Sequence, residues 1–287
     1  MSGELAGKVA VITGSTRGLG RAMAEMFGRE GAAVVVSSRK AEALEQTVAA
    51  LEALGIRAAG QVCDVSRPEE VQALADFAVK TFGGFDIWVN NAAMSGPYGP
   101  TMMLDPAAFT AVVQANILGT YHGSRVALAH FLPKGSGKLV NLLGRGDRGP
   151  APMQNAYGSS KAWVRSFTAS LAREYKNSGV GVYAFNPGLV NTDLLRRPLV
   201  VEGYESRMDP LRMVIYLWAN PPEVPARKAL WLVSSATDGK TGLEVRLQGR
   251  LQLVLGFLRE IGRRITRRQK PPVELDIKVI PAWPEKR

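Results

Sequence analysis

Six short apolar runs without polar alternation, separated by helical stretches, constrain this chain more than any other feature. They are Val9–Ile12, Ala33–Ser37, Ala58–Cys63, Ile87–Asn90, Lys138–Leu143 and Gly181–Phe185. Helical patterns lie between them at Arg21–Glu30, Ala41–Leu54, Pro68–Thr81, Asp105–Leu132 and Ala156–Lys176. A strand that is apolar on both faces must be covered on both faces, and helices in the crossovers supply that cover. Strands of this kind, joined by helices, pair in parallel. The expected fold class is therefore α/β, a doubly wound parallel sheet in a single domain with a C-terminal extension.

Composition narrows the class further. The 287 residues suffice for one sizeable domain, and 46% apolar with 21% charged residues is the balance of a globular protein. Cys63 is the only cysteine, which excludes an intrachain disulfide and a cysteine-built zinc site. The start, MSGELAGKVAVITG, lacks the basic and apolar regions of a secretory signal. No apolar run approaches the roughly 18–20 residues that span a bilayer. A cytoplasmic location is expected. The net charge is +11, but residues 246–287 hold eleven Lys/Arg against four Asp/Glu. The charge belongs to a local tail on a near-neutral core, so nucleic acid is not an expected partner.

The first apolar run stops at Thr13-Gly14-Ser15-Thr16-Arg17-Gly18-Leu19-Gly20, which opens a helix. Glycine suits places where backbone turns sharply or approaches a pyrophosphate, and a helix N-terminus offers free N–H groups to phosphate. TGxxxGxG resembles the motif of the short-chain dehydrogenase/reductase family, and further matches follow in order. Cys63-Asp64-Val65 resembles the strand end whose Asp contacts adenine. Asn90-Asn91-Ala92-Ala93 is similar to NNAG, with Ala93 for the glycine. Asn116 stands at the helix asparagine, Tyr157-Gly158-Ser159-Ser160-Lys161 is YxxxK, and Pro187-Gly188 with Val190 and Thr192 resembles PGxxxT. The resemblance covers about residues 5–245 and implies a Rossmann-type dinucleotide fold and hydride transfer. The residues it assigns to the cofactor are Gly14 to Gly20, Ser38, Arg39, Asp64, Val65, Asn91, Ala92, Ala93, Tyr157, Lys161, Pro187, Gly188, Val190 and Thr192. NAD-preferring members carry an acid near Ser38. Here Ser38-Arg39 with Arg17 offers cations to a 2′-phosphate, so NADP(H) is the expected cofactor.

Tyr157 and Lys161 lie four apart, so on a helix they share a face. An ammonium beside the phenol lowers its pKa from about 10 toward working pH, and the phenol then gives or takes the substrate proton. The resemblance adds Asn116, which holds a relay water. The family also has a serine about one strand-end before the tyrosine; thirteen residues back from Tyr157 stands Gly144, with no hydroxyl on either side. A lost donor of that kind costs about 2–4 kcal/mol. Three explanations are open. Arg145, Ser95 or Gln154 replaces the donor; or the substrate is an imine or enone that does not need it; or the chain keeps only cofactor binding. If the donor is merely missing, Gly144→Ser is expected to raise activity on ketones. Within Gly144–Gln154, Arg145, Asp147 and Arg148 either pair with one another or meet a polar substrate group.

The segment after the PG motif, residues 194–225, is the expected substrate lid. Its Met208, Met213, Ile215, Tyr216, Leu217 and Trp218 suit either a bulky apolar substrate or packing of the lid on the core. His122 and His130 have no partner pattern and are expected to be structural. Residues 1–246 form the catalytic domain and 247–287 a basic extension. In the extension Leu251, Val254, Leu255, Leu258, Ile261 and Ile265 make one helical stripe among arginines, followed by Val273–Ile280 as an edge strand or small hairpin. Such a helix packs on the domain or another subunit, or lies on an anionic membrane as a peripheral contact. A homo-oligomer, dimer or tetramer, is expected. The activity so implied is NADPH-dependent hydride transfer to a C=O, C=N or C=C group of a bulky, largely apolar small molecule. The alternative is a non-catalytic NADPH-binding regulatory or scaffold subunit.

Overall fold

A computed structural model describes residues 3–247, 256, 260–261 and 273–284. Its strands are β1 (Val9–Ile12), β2 (Ala33–Ser38), β3 (Ala58–Val62), β4 (Ile87–Asn90), β5 (Gly137–Leu142), β6 (Val180–Asn186), β7 (Leu199–Val201), β8 (Glu244–Arg246) and β9 (Lys278–Ile280). The helices are α1 (Gly18–Arg29), α2 (Ala41–Glu52), α3 (Pro68–Phe82), α4 (Pro106–Val113), α5 (Gly119–Lys134), α6 (Asn155–Glu174), α7 (Asp193–Arg196), α8 (Asp209–Trp218) and α9 (Glu223–Val233). Seven strands form one parallel sheet in the order β3-β2-β1-β4-β5-β6-β8. This is the doubly wound Rossmann-type sheet expected from the apolar runs.

Alternate residues of each central strand enter opposite layers. Ala10, Ile12, Val34, Val36, Val140 and Phe185 pack with Met23 and Phe27 of α1, Leu51 of α2 and Leu230 of α9. Val11, Val35, Leu139 and Val182 pack with Leu74 of α3, Phe131 of α5 and Leu171 of α6. Two buried faces disfavour polar residues on the strands, which is why the runs do not alternate. The buried polar exceptions include Ser37, Asn141 and Asn90. Asn90 Nδ2 donates to Asn141 Oδ1 at 2.8 Å and to Ser124 Oγ at 3.2 Å, and its Oδ1 accepts from Trp88 Nε1 at 2.8 Å. Asn141 in turn donates to Thr168 Oγ1 at 3.0 Å, so every member of this buried chain is satisfied.

The helical stretch expected at Asp105–Leu132 is interrupted. Between α4 and α5 the backbone makes a π turn, Gln114–Leu118. Such single π turns cluster at functional sites, and Asn116 lies in this one. His122 Nδ1 lies 3.1 Å from Val65 O, and His130 Nε2 accepts from the Phe85 amide at 3.2 Å. Both histidines thus brace loop backbone.

The lid contains α7, β7 and α8. The Val273–Ile280 segment contributes only β9, which pairs in parallel with β7 through Leu199↔Lys278, Val200↔Val279 and Val201↔Ile280. Of the two expectations, edge strand or small hairpin, it makes the strand: β9 pairs with β7 of the lid in a separate two-stranded sheet. Asp276 N donates to Arg196 O at 2.9 Å and Trp283 N to Met103 O at 3.0 Å. Of the expected tail helix, Gly256, Glu260 and Ile261 are described and helical; Gly256 is buried, and a Cβ on it would come within 2.5 Å of Trp218 Nε1. These described residues of the extension therefore pack on the lid of their own chain. Leu251, Val254, Leu255, Leu258 and Ile265 lie outside the described residues. No helix among the described residues is long and apolar enough to cross a membrane.

Candidate active site

The strand order reverses between β1 and β4, so the loops leaving these strands part and leave a crevice at their C-terminal ends. The first loop is the glycine turn. Gly14 has φ +62° and a Cβ on it would meet Ala92 Cα at 2.9 Å; Gly18 has φ +55° and a Cβ there would meet Thr192 Cγ2 at 3.1 Å. Both positions need φ > 0 as well as close approach, and glycine meets both needs. The N-terminus of α1 has no side-chain cap and no acid in its first turn. Its uncapped N–H groups and bare glycines form a cradle that fits the pyrophosphate of a dinucleotide.

The second loop is sewn to the first. Thr13 Oγ1 accepts from the amides of Asn91 and Ala92, each at 3.0 Å, and Asn91 Nδ2 donates to Thr13 O at 2.8 Å and Gly14 O at 3.1 Å. Ser15 Oγ is fully buried, donating to Ile12 O at 2.6 Å and accepting from Ser37 N at 3.0 Å, so its side chain holds β1 to β2. Thr16 O accepts from Thr47 Oγ1, and Leu19 packs on the α1 face of the core. Asp64 accepts from the Ser66 amide at 3.0 Å and hydroxyl at 2.7 Å. Burial pushes its carboxyl up, but those bonds, with Arg39 and Arg67, hold it below the ordinary value. Val65 is buried beside it, and Ala93 continues the loop after β4 at intermediate exposure.

Arg39 Nη1 lies 3.9 Å from Asp64 Oδ2 and Arg17 Nη1 lies 3.4 Å from Asp193 Oδ2; both arginines are exposed. Ser38 Oγ accepts from the Lys40 amide at 3.3 Å. On the far side of the crevice Asn186 Oδ1 accepts from Gly188 N at 2.9 Å, after Pro187. Val190 bridges Asn220, and Thr192 opens α7 against Gly18.

Tyr157 and Lys161 occupy the first turns of α6, as their spacing predicts, facing the end of β5. Lys161 is buried and its Nζ donates to Leu142 O at 2.9 Å. Burial pushes the ammonium down to about 8, against the opposing pull of Asp147. Burial, reinforced by Asp147, pushes the Tyr157 phenol up to about 12. This is opposite to the lowering expected from the lysine: in the cofactor-free protein burial dominates and favours the protonated phenol. Asn116 is fully buried; its side chain accepts from Met94 N at 2.8 Å and donates to Met94 O at 2.9 Å and to Ser160 Oγ at 3.0 Å. It locks the loop after β4 to the turn of α6 that carries Lys161.

Gly144 touches this pair directly. A Cβ on it would lie 2.4 Å from Tyr157 Oη and 3.5 Å from Lys161 Cγ. The phenol therefore fills the space that a side chain at 144 needs. A serine at 144 therefore requires Tyr157 to shift, which bears on either outcome of Gly144→Ser, a gain on ketones or no gain.

Arg145, Asp147 and Arg148 do not pair with one another. Arg145 is exposed, with Nη1 3.5 Å from Gln154 Oε1. Arg148 pairs with Glu244. Asp147, buried, takes a two-pronged bond from Arg246, Nη2 to Oδ2 at 2.6 Å and Nη1 to Oδ1 at 3.2 Å, and a third from Asn186 Nδ2 at 3.0 Å. Sequence reasoning missed this partner because it lies 99 residues away. Ser95 is half-buried in the loop after β4. In the lid, Met208, Ile215 and Leu217 are buried in packing, while Met213 is 38% exposed.

A family model described as short chain dehydrogenase matches residues 8–198. Among curated proteins, 3beta-hydroxysteroid dehydrogenase 1 of Eggerthella lenta is 38% identical over 90% of this chain and 98% of its own. Glucose 1-dehydrogenase 2 of Bacillus subtilis is 31% identical over 87% and 96%. Among solved structures, a 3-ketoacyl-(acyl-carrier-protein) reductase from Brucella melitensis complexed with NADH superposes with a TM-score of 0.76. It is 29% identical, over 86% of this chain and 99% of the other.

Proposed function

Because the chain belongs to the short-chain dehydrogenase family, and so is an oxidoreductase that takes a nicotinamide cofactor and a small-molecule substrate, we propose that it is an NADP(H)-dependent reductase of a C=O, C=N or C=C group in a bulky, largely apolar compound, acting in the cytoplasm. The observation that carries this reading is half-buried Tyr157 beside buried Lys161, facing Gly144 at the end of β5. Bound nicotinamide supplies or accepts the hydride. Tyr157 holds a proton at Oη and donates it to the substrate as charge develops there. Lys161, charged below about pH 8, favours the phenolate that results and anchors the end of β5. Asn116 fixes the geometry of both loops. Arg145, Gln154 and Ser95 are the side chains we assign to the substrate.

NADP(H) preference rests on Ser38, which leaves no acid beside the 2′ position, and on the exposed Arg39 and Arg17, whose carboxylate partners are long contacts that a phosphate dianion outcompetes. The test is turnover of ketone, imine and enone panels with each cofactor. We expect a lower KM for NADPH than for NADH, and loss of most turnover in Tyr157→Phe with NADPH affinity nearly unchanged. Equal or better use of NADH rejects the cofactor assignment, and full turnover in Tyr157→Phe rejects the mechanism. The second reading, a non-catalytic NADPH-binding subunit, is favoured by the bare Gly144; it predicts tight NADPH binding with no turnover on any of the three panels.

A further inference from the structure

We propose that Asp147 is a positioning residue of this site: clamped by Arg246 and Asn186, its buried carboxylate fixes the turn that brings Gly144 against Tyr157 and sets the charge that the Tyr157–Lys161 pair experiences. The proposal rests on the catalytic reading of that pair. Three observations support it. The Asp147 amide donates to Gly144 O at 3.3 Å, closing the turn in which Gly144 meets the phenol. The carboxylate is bound at both oxygens by groups from β6 and β8, so loop and sheet are held in one register. Asn186, which donates to it at 3.0 Å, also accepts from Gly188 N, so one side chain links the carboxylate to the glycine of the PG turn.

A buried carboxylate left unpaired is strongly disfavoured, and a two-pronged arginine is the partner that removes the penalty with a defined geometry. Arg246 is itself held by Glu244, Nε to Oε1 at 2.9 Å, and Glu244 also receives Arg165 Nε at 2.8 Å and Arg148. The charged groups around the pair are thus Asp147 from the loop after β5, Arg246 and Glu244 from β8 behind it, and Arg148 and Arg165 flanking Glu244. Asp147 is the one whose charge acts on both Tyr157 and Lys161. Its negative charge favours the protonated form of each, opposing the effect of burial on Lys161 and adding to it on Tyr157.

The sign of that influence provides the test. In cofactor-free protein, Lys161 is titrated directly by NMR with isotope-labelled lysine, in wild type, Asp147→Asn and Arg246→Gln. Removing the negative charge should lower the Lys161 midpoint, by about one pH unit. Removing the arginine leaves Asp147 with less compensation and should raise it. The alkaline limb of the reduction rate should move the same way in each variant, while thermal unfolding and NADPH affinity report whether the fold is retained. A merely structural role would move both variants in one direction or neither. Unchanged midpoints, or midpoints shifted in the same direction, overturn the proposal. Because the titration needs no turnover, its result is separate from the outcome of Tyr157→Phe, which tests the catalytic reading. If either variant fails to fold, Asp147→Glu, which keeps the charge but lengthens the arm, should hold the midpoint near that of wild type; a drop matching charge removal would overturn the proposal.

Discussion

Gly144 is the residue in closest approach to Tyr157. Its missing side chain lets Tyr157 Oη lie 2.4 Å from where a Cβ would be. An ordinary methyl contact needs about 3.5–4 Å. Gly144→Ala must therefore push the phenol back by roughly 1 Å, and a displacement of that size costs about 10²-fold in rate. We expect kcat to fall by at least about tenfold in Gly144→Ala and Gly144→Ser, with NADPH affinity little changed. Steady-state kinetics on the best substrate checks this, and a faster Gly144→Ser enzyme would show that Tyr157 has room elsewhere. The pH dependence follows from Lys161. Its ammonium is held down to about 8 by burial, so it is charged below that pH and neutral above it. In the mechanism we propose, reduction uses the charged lysine beside the proton-donating phenol, so the rate of reduction should be flat on the acid side of about pH 8 and fall as pH rises through it. A profile that rises through that range would assign the limb to another group.

At the scale of elements, the extension matters most. β9 lies along β7 of the lid, Arg197 Nε lies 3.6 Å from Asp276 Oδ2, and Val200 and Val201 are fully buried in the assembled ribbon. Fully burying a side chain of this kind stabilises by about 1.5–3 kcal/mol, which offsets much of the entropy lost in ordering a short lid strand. Removing residues 276–287 strips β9 and the Trp283 contact to Met103. The expected result is a several-fold rise in KM for substrate with NADPH affinity preserved, since the glycine cradle is built from β1 and α1. Measured KM and Kd separate the two; a KM equal to that of the full chain would show that the extension has no part in closing the site.

For the whole molecule, the open question is assembly. Family members commonly oligomerise, and α5 and α6 present a groove lined by Tyr121, Leu128, Phe167 and Leu171, with Tyr121 42% exposed. Tyrosine is enriched at subunit contacts, and this groove of the long helix pair offers one together with Phe167. We expect the wild type to scatter light as a dimer or tetramer and Tyr121→Glu to scatter as a smaller species with its thermal stability largely kept. An unchanged mass would place the contact on another face.

What could be read from the sequence alone is what depends on neighbours along the chain. The apolar period marked β1 to β6 within a residue or two, because a strand covered on both faces is legible in its own letters. The glycines of 14–20 and the four-residue spacing of Tyr157 and Lys161 were legible for the same reason: a positive φ and a shared helix face are local properties. The substituted position at Gly144 was also visible, as a count back from Tyr157. Only the tertiary structure showed that the Tyr157 hydroxyl fills that space, that Asp147 meets Arg246 rather than the arginines beside it, and that β9 seeks the lid instead of the main sheet. An ion pair, a close approach and an edge pairing are decided by which surfaces the fold brings together, and no period or spacing encodes a partner 99 residues away.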